Sequence, residues 1–63
     1  MTQQLESDLA ALLDRLKNAQ RELVVTASRG TTIPSDGMLR KISELEGVIA
    51  ATEAVLEEER ARR

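Results

Sequence analysis

The chain contains no cysteine, no histidine and no aromatic residue among its 63 amino acids. The absence of cysteine excludes disulfide bonds. The absence of both cysteine and histidine removes the usual ligands of zinc and haem. Without aromatic rings there is no platform on which nucleic-acid bases stack and no anchor for a membrane interface. We therefore expect no metal site and no cofactor, and a chain this short must gain its stability in another way.

Long apolar runs and a strong net charge are missing too. The longest unbroken apolar stretches, such as Leu9–Leu13, fall far short of the roughly 20 residues that a membrane helix needs. Nine basic and eleven acidic side chains give a net charge of −2, which exerts no general pull on nucleic acid or on an anionic membrane. The first residues lack the basic start and apolar core of a signal peptide. We expect a cytoplasmic protein without a membrane partner.

Apolar residues recur at alternating intervals of four and three in both halves of the chain. The first half carries Leu5, Leu9, Leu12, Leu16, Ala19 and Leu23, and the second half carries Ile42, Leu45, Ile49, Thr52 and Leu56. This spacing predicts two long helices that meet along one seam. Thr52 is expected to satisfy its hydroxyl on the preceding turn of its own helix, or to help fix the register.

The sequence between the two repeats predicts where each helix ends. We expect a single domain over residues 1–63, with a first helix over about 2–29, a loop over 30–34 and a second helix over about 35–62. Thr2 and Ser35 are the expected N-caps, because a hydroxyl there accepts a bond from an unpaired backbone N–H. Gly30 is expected in the left-handed conformation that often follows a helix, and Pro34 disfavours helical geometry before it.

Two helices of similar length and a short loop predict an all-α, antiparallel two-helix hairpin. Leu16 is expected to face Ile49, and Leu23 to face Ile42. A hairpin of this size buries little surface, and further apolar residues beside the seam widen the stripe to the width found in bundles. We therefore expect self-association, most simply as a dimer that forms a four-helix bundle, or as a higher oligomer.

A strip of small residues along the second helix is a second candidate contact for another copy. A glycine inside a helix costs about 1 kcal/mol relative to alanine, and close approach of another helix is one reason to tolerate it. The alternative is an exposed face of good helix formers. The predicted oligomer contacts are Leu13, Val48 and Val55 beside the seam, together with Gly47, Ala50, Ala51 and Ala54 of the strip and the flanking Ser43.

The loop is a candidate anion site, because a helix N-terminus presents unpaired N–H groups to a phosphate. The predicted ligand-binding residues are Arg29, Gly30, Thr31, Thr32 and Ser35. Asp36 would repel a phosphate, and the same composition is typical of an ordinary turn. A structural turn and a binding site both stay open.

Four apolar residues near the loop lie off the seam and are expected to form a rim that contacts another protein. They are Val24, Val25, Ile33 and Met38. An exposed apolar cluster of this kind often marks a contact surface.

The outer face of the first helix is a candidate RNA surface, with Arg15, Lys17, Asn18, Gln20 and Arg21. The chain is similar to the RNA-binding dimer Rop in architecture and length, without a shared motif. Asp14 and Glu22 interrupt this face, and a solvated face with intrahelical ion pairs is the alternative. Carboxylates near the end of the second helix have no concave site around them, so we expect no catalytic residue and no enzyme.

The leading functional hypothesis is a small, non-enzymatic, intracellular homo-oligomer that acts stoichiometrically on a protein partner. The alternative is an oligomer that sequesters an anionic small molecule, such as a signalling nucleotide, at its loops. An RNA-binding dimer is a second alternative, although the composition disfavours a nucleic-acid partner.

Overall fold

Two α-helices and one connection make up the fold. A computed structural model describes residues 2–62, in which α1 spans Thr2–Ser28 and α2 spans Asp36–Ala61, with no strand in this range. The helices lie side by side and antiparallel in a rod of 48 × 14 × 13 Å. The predicted all-α hairpin is confirmed for these residues.

The end of α1 differs from the prediction at Gly30. No glycine of the described chain has a positive φ, so Gly30 does not adopt the left-handed conformation. The helix instead tightens in its last turn, where the Arg29 and Gly30 amides donate to the carbonyls three residues earlier, both at 3.2 Å. The Ser28 hydroxyl also donates to the Val25 carbonyl at 2.7 Å. These bonds satisfy the terminal carbonyls without a left-handed residue.

The start of α2 confirms the predicted cap. Ser35 is extended, with φ −60° and ψ 159°, and its hydroxyl accepts a hydrogen bond from the Met38 amide at 3.2 Å. Asp36 lies in the first turn, where its charge favours the positive end of the helix dipole. Thr2 is the first helical residue, and the cap predicted for its side chain lies outside the described part of the structure.

The buried core is small and belongs to α2. Ile49 and Leu56 are each 4% exposed and Thr52 is 7% exposed. The Thr52 hydroxyl donates to the Val48 carbonyl at 2.8 Å, which satisfies the buried oxygen as expected from the sequence. Thr52 is therefore a core residue of the seam, and its polarity carries little cost.

The inward face of α1 is rotated from the predicted line. Leu5 is 42% exposed and Ala19 is also exposed, whereas Leu13 and Gln20 are half-buried. One series of half-buried residues repeats with the same alternation of four and three, and it consists of Leu9, Leu13, Leu16, Gln20, Leu23 and Ala27. The series has Leu13 and Gln20 where the predicted line has Leu12 and Ala19. Leu12 of the predicted line is half-buried as well. Gln20 donates from Nε2 to Glu46 Oε1 at 2.9 Å across the seam.

Candidate interaction surfaces

The two long sides of the hairpin differ in character. In a helix, positions i+3 and i+4 lie on opposite sides of position i. Gln20 follows Leu16 by four and lies on one side, whereas Ala19 follows it by three and lies on the other. On α2, Glu46 and Glu53 share one side of Ile49, and Thr52 lies on the opposite side. The hairpin can therefore be described as two sides with separate contacts.

One side is closed by polar contacts between the helices, and we call it the bridged side. It contains the Gln20–Glu46 hydrogen bond and an ion pair between Lys17 Nζ and Glu53 Oε2 at 3.3 Å. Both members of the ion pair are about half exposed, so its contribution to stability is small. The contacts of Lys17 and Gln20 also mean that two residues of the candidate RNA face are engaged with α2.

The other side is open and apolar, and we call it the open side. A shallow depression of about 220 Å³ lies there between the helices, lined by Leu23, Lys41, Glu44, Leu45 and Val48. Val48 and Val55 stand two turns apart on α2 and are 47% and 42% exposed. Leu5 and the half-buried Leu12 stand two turns apart along the facing edge of α1. Aliphatic side chains thus follow the open side along most of its length.

The small-residue strip lies on neither of these sides. Ser43, Gly47, Ala50, Ala51 and Ala54 are all exposed on α2, and most of them face away from α1. A Cβ built on Gly47 would meet no side chain or neighbouring helix within 4 Å. Packing within the hairpin therefore does not require a glycine at this position.

The predicted oligomer contacts consequently fall on three separate surfaces. Leu13 is half-buried in the seam between α1 and α2. Val48 and Val55 lie on the open side, and the small-residue strip occupies the outer face of α2. The structure does not bring these residues together into one patch.

The loop end of the hairpin exposes a second set of aliphatic side chains. Ile33 is 84% exposed and Val24 is 48% exposed, whereas Val25 and Met38 are half-buried. Leu39, which the sequence reasoning missed, is 43% exposed in the first turn of α2. Its position directly after Met38, off the seam of α2, is the signal that could have revealed it. We call Val24, Ile33 and Leu39 the loop-end residues.

The candidate anion site shares its groups with the turn itself. Arg29, Gly30, Thr31 and Thr32 are exposed. The Ser35 hydroxyl already accepts the bond from Met38, and the Asp36 carboxylate stands in the first turn of α2. A phosphate at this helix start would therefore face one carboxylate and compete for one engaged hydroxyl.

The described residues show neither a metal cluster nor a membrane helix. In residues 2–62, no three carboxylates gather where they could hold a cation. Neither described helix combines the length and the hydropathy required to cross a bilayer.

At the end of α2, Glu59 accepts a bond from Arg62 Nε at 3.1 Å.

Comparisons with protein-family models, with curated proteins and with solved structures give no match for this chain.

Proposed function

We propose that this chain is a non-enzymatic, intracellular interaction protein that self-associates and acts stoichiometrically on a protein partner. The observation that carries the proposal is the distribution of apolar side chains. Within residues 2–62 only Ile49 and Leu56 are buried aliphatic residues, whereas six large aliphatic residues are at least 42% exposed. Apolar surface of this extent on so small a protein favours contact with other chains.

The total surface of the hairpin supports self-association. Its accessible area is 4933 Å² for a mass of 7.0 kDa. A compact monomer of that mass exposes about 4,000 Å² according to the usual scaling of surface with mass. The excess of about 900 Å² is close to the roughly 800 Å² that each partner buries in a standard interface. Burial of one dimer contact would therefore reduce the accessible area of each chain to about the value expected for a compact protein of its mass.

The loop-end residues support a separate contact with a protein partner. Ile33 lies in the connection between the last turn of α1 and the cap at Ser35, and it is 84% exposed. Val24 and Leu39 expose aliphatic surface at the same end of the rod. The chain has no aromatic ring on which a base could stack, and exposed aliphatic residues suit an apolar protein groove better than a nucleic acid.

The phosphate and RNA alternatives have less support from the geometry. The groups that would hold a phosphate include the engaged Ser35 hydroxyl and stand beside the Asp36 carboxylate. The candidate RNA face has Lys17 and Gln20 occupied by contacts with α2. No observation favours either alternative over protein binding.

A pull-down with variants of the loop end tests the partner contact. Tagged wild-type protein and the Val24→Glu and Leu39→Glu variants are incubated with a lysate of the cells that make the protein. Bound proteins are quantified by mass spectrometry, and Asn18→Glu on the outer face of α1 is the matched control. We expect one protein to be recovered in a fixed ratio with wild type and Asn18→Glu and to be lost with both loop-end variants. Equal recovery with all four proteins, or recovery of none, would contradict the proposal.

A further inference from the structure

We infer that the open side is where a second copy of this chain packs, so that the two hairpins form a four-helix bundle. The inference rests on the self-association proposed above and identifies the surface that makes it. It places Leu5, Leu12, Val48 and Val55 in the contact and leaves the small-residue strip outside it.

The asymmetry of the hairpin is the first argument. On the bridged side, Gln20 is hydrogen-bonded to Glu46, and Lys17 forms an ion pair with Glu53. The open side has no comparable cross-helix contact among the described residues, and Leu23, Leu45 and Val48 leave a depression there. A helix that packs on this side continues the existing core outward, because Leu45 and Thr52 of the seam adjoin Val48 and Val55. The bridged side would require four polar groups to be desolvated first.

The area of the open side is close to the excess accessible area of the hairpin. One side of the rod measures 48 by about 14 Å. Complete cover by a second hairpin hides a flat footprint on the order of 700 Å², which the relief of the side chains increases toward the typical 800 Å² per partner. This value agrees with the surface excess of about 900 Å². The outer strip is formed by one helix alone.

A second copy is the occupant that these features favour. In a twofold dimer the same patch covers itself, so both copies lose the same excess of surface at once. The edges of the open side carry both signs of charge, with Lys41 and Glu44 on α2 and Asp8 and Arg15 on α1. Such a mixed rim offers opposite charges to its own copy, whereas a rim of one sign would repel it.

Charge substitutions on the competing surfaces test the inference. The double variant Val48→Glu and Val55→Glu buries four carboxylates in the proposed dimer contact, because each copy contributes two. We expect its dissociation constant in sedimentation equilibrium to rise roughly a hundredfold or more. The double variant Ala50→Glu and Ala54→Glu places the same charges on the small-residue strip, and Asn18→Glu is a control on the outer face of α1. Both should change the dissociation constant less than about threefold. Loss of the oligomer in the strip variant alone would overturn the inference.

Cysteine protection provides a second readout that does not depend on a disruptive charge. The chain has no cysteine, so Val48→Cys and Ala54→Cys each introduce one thiol into α2. At a concentration where the oligomer is populated, we expect a maleimide to modify Val48→Cys at least about tenfold more slowly than Ala54→Cys. Equal rates at the two sites would overturn the inference even if the charge variants failed to fold.

The two proposals can fail separately. If wild type is an oligomer that the changes at Val48 and Val55 leave intact, the open side is not the contact and self-association stands. If wild type remains monomeric at every concentration, self-association itself is wrong, and the inference falls with it.

Discussion

Truncation of Ile49 is the sharpest test of the packing between the two helices. Ile49 is 4% exposed and lies at the centre of α2. Ile49→Ala removes three carbon atoms, and each buried carbon contributes about 0.8 kcal/mol to the transfer from water. The transfer contribution is therefore about 2.4 kcal/mol, to which the remaining cavity adds a further cost. Because two helices can move together more easily than a closed core, we expect a total of about 3 kcal/mol.

The assay is urea unfolding followed by circular dichroism at a single protein concentration. The concentration is kept fixed because the unfolding of an oligomer depends on it. Val24→Ala is the matched control, since it also truncates an aliphatic residue in a helix but at a position that is 48% exposed. We expect this control to change the free energy of unfolding by less than about 0.5 kcal/mol. A loss below about 1 kcal/mol for Ile49→Ala would refute the seam described for α1 and α2.

Substitutions at four further positions test local features of the hairpin by the same assay, with sedimentation equilibrium added for Gly47. Ser35→Ala should destabilise by about 1 kcal/mol because the bond to the Met38 amide is lost, and Ser35→Asp should restore most of it; an unchanged stability would exclude the cap. Gly30→Ala should leave stability unchanged or raise it by up to about 1 kcal/mol, since φ is not positive and the new Cβ meets only the Ala27 carbonyl at 3.7 Å. A clear decrease in stability would indicate that Gly30 is left-handed after all. Gly47→Ala should stabilise by about 1 kcal/mol without dissociating the oligomer, because no neighbour lies within 4 Å; dissociation would indicate a helix packed on the strip. Lys17→Ala should cost less than about 1 kcal/mol, and a larger loss would mean that the exposed pair with Glu53 is a main support of the bridged side.

The general fold follows from the spacing of apolar residues, but the exact face of α1 does not. Two lines along α1 share Leu9, Leu16 and Leu23; one continues through Leu12 and Ala19 and the other through Leu13 and Gln20. Apolar character alone favours the line through Ala19. In the structure Gln20 is half-buried and donates to Glu46, a pairing between distant parts of the chain that the spacing of apolar residues does not reveal.

Short-range chemistry was predictable where one side chain decides the outcome. The cap at Ser35 depends on a hydroxyl and an amide three residues away, and the structure contains that bond. The conformation of Gly30 was not predictable in this way, because a glycine permits a left-handed residue without requiring one. The Ser28 hydroxyl and the two tightened backbone bonds end α1 instead.

Only the three-dimensional structure distinguishes the candidate surfaces from one another. In the sequence, Gly47 and Val48 are neighbours, and both are predicted oligomer contacts. In the structure, Val48 lines the depression on the open side while Gly47 faces open space on the outer face of α2. The identity of the protein partner is not encoded in any of these residues, since exposed aliphatic side chains define a contact and not its specificity.

The measurement that tests the central claim most directly is sedimentation equilibrium of the wild-type protein over a range of concentrations. We expect the mass to rise to a plateau at twice the chain mass of 7.0 kDa, or at a higher even multiple. The Val48→Glu and Val55→Glu double variant should remain at the chain mass over the same range. A wild-type mass of 7.0 kDa up to about 500 µM, with the helices intact, would contradict self-association through the open side.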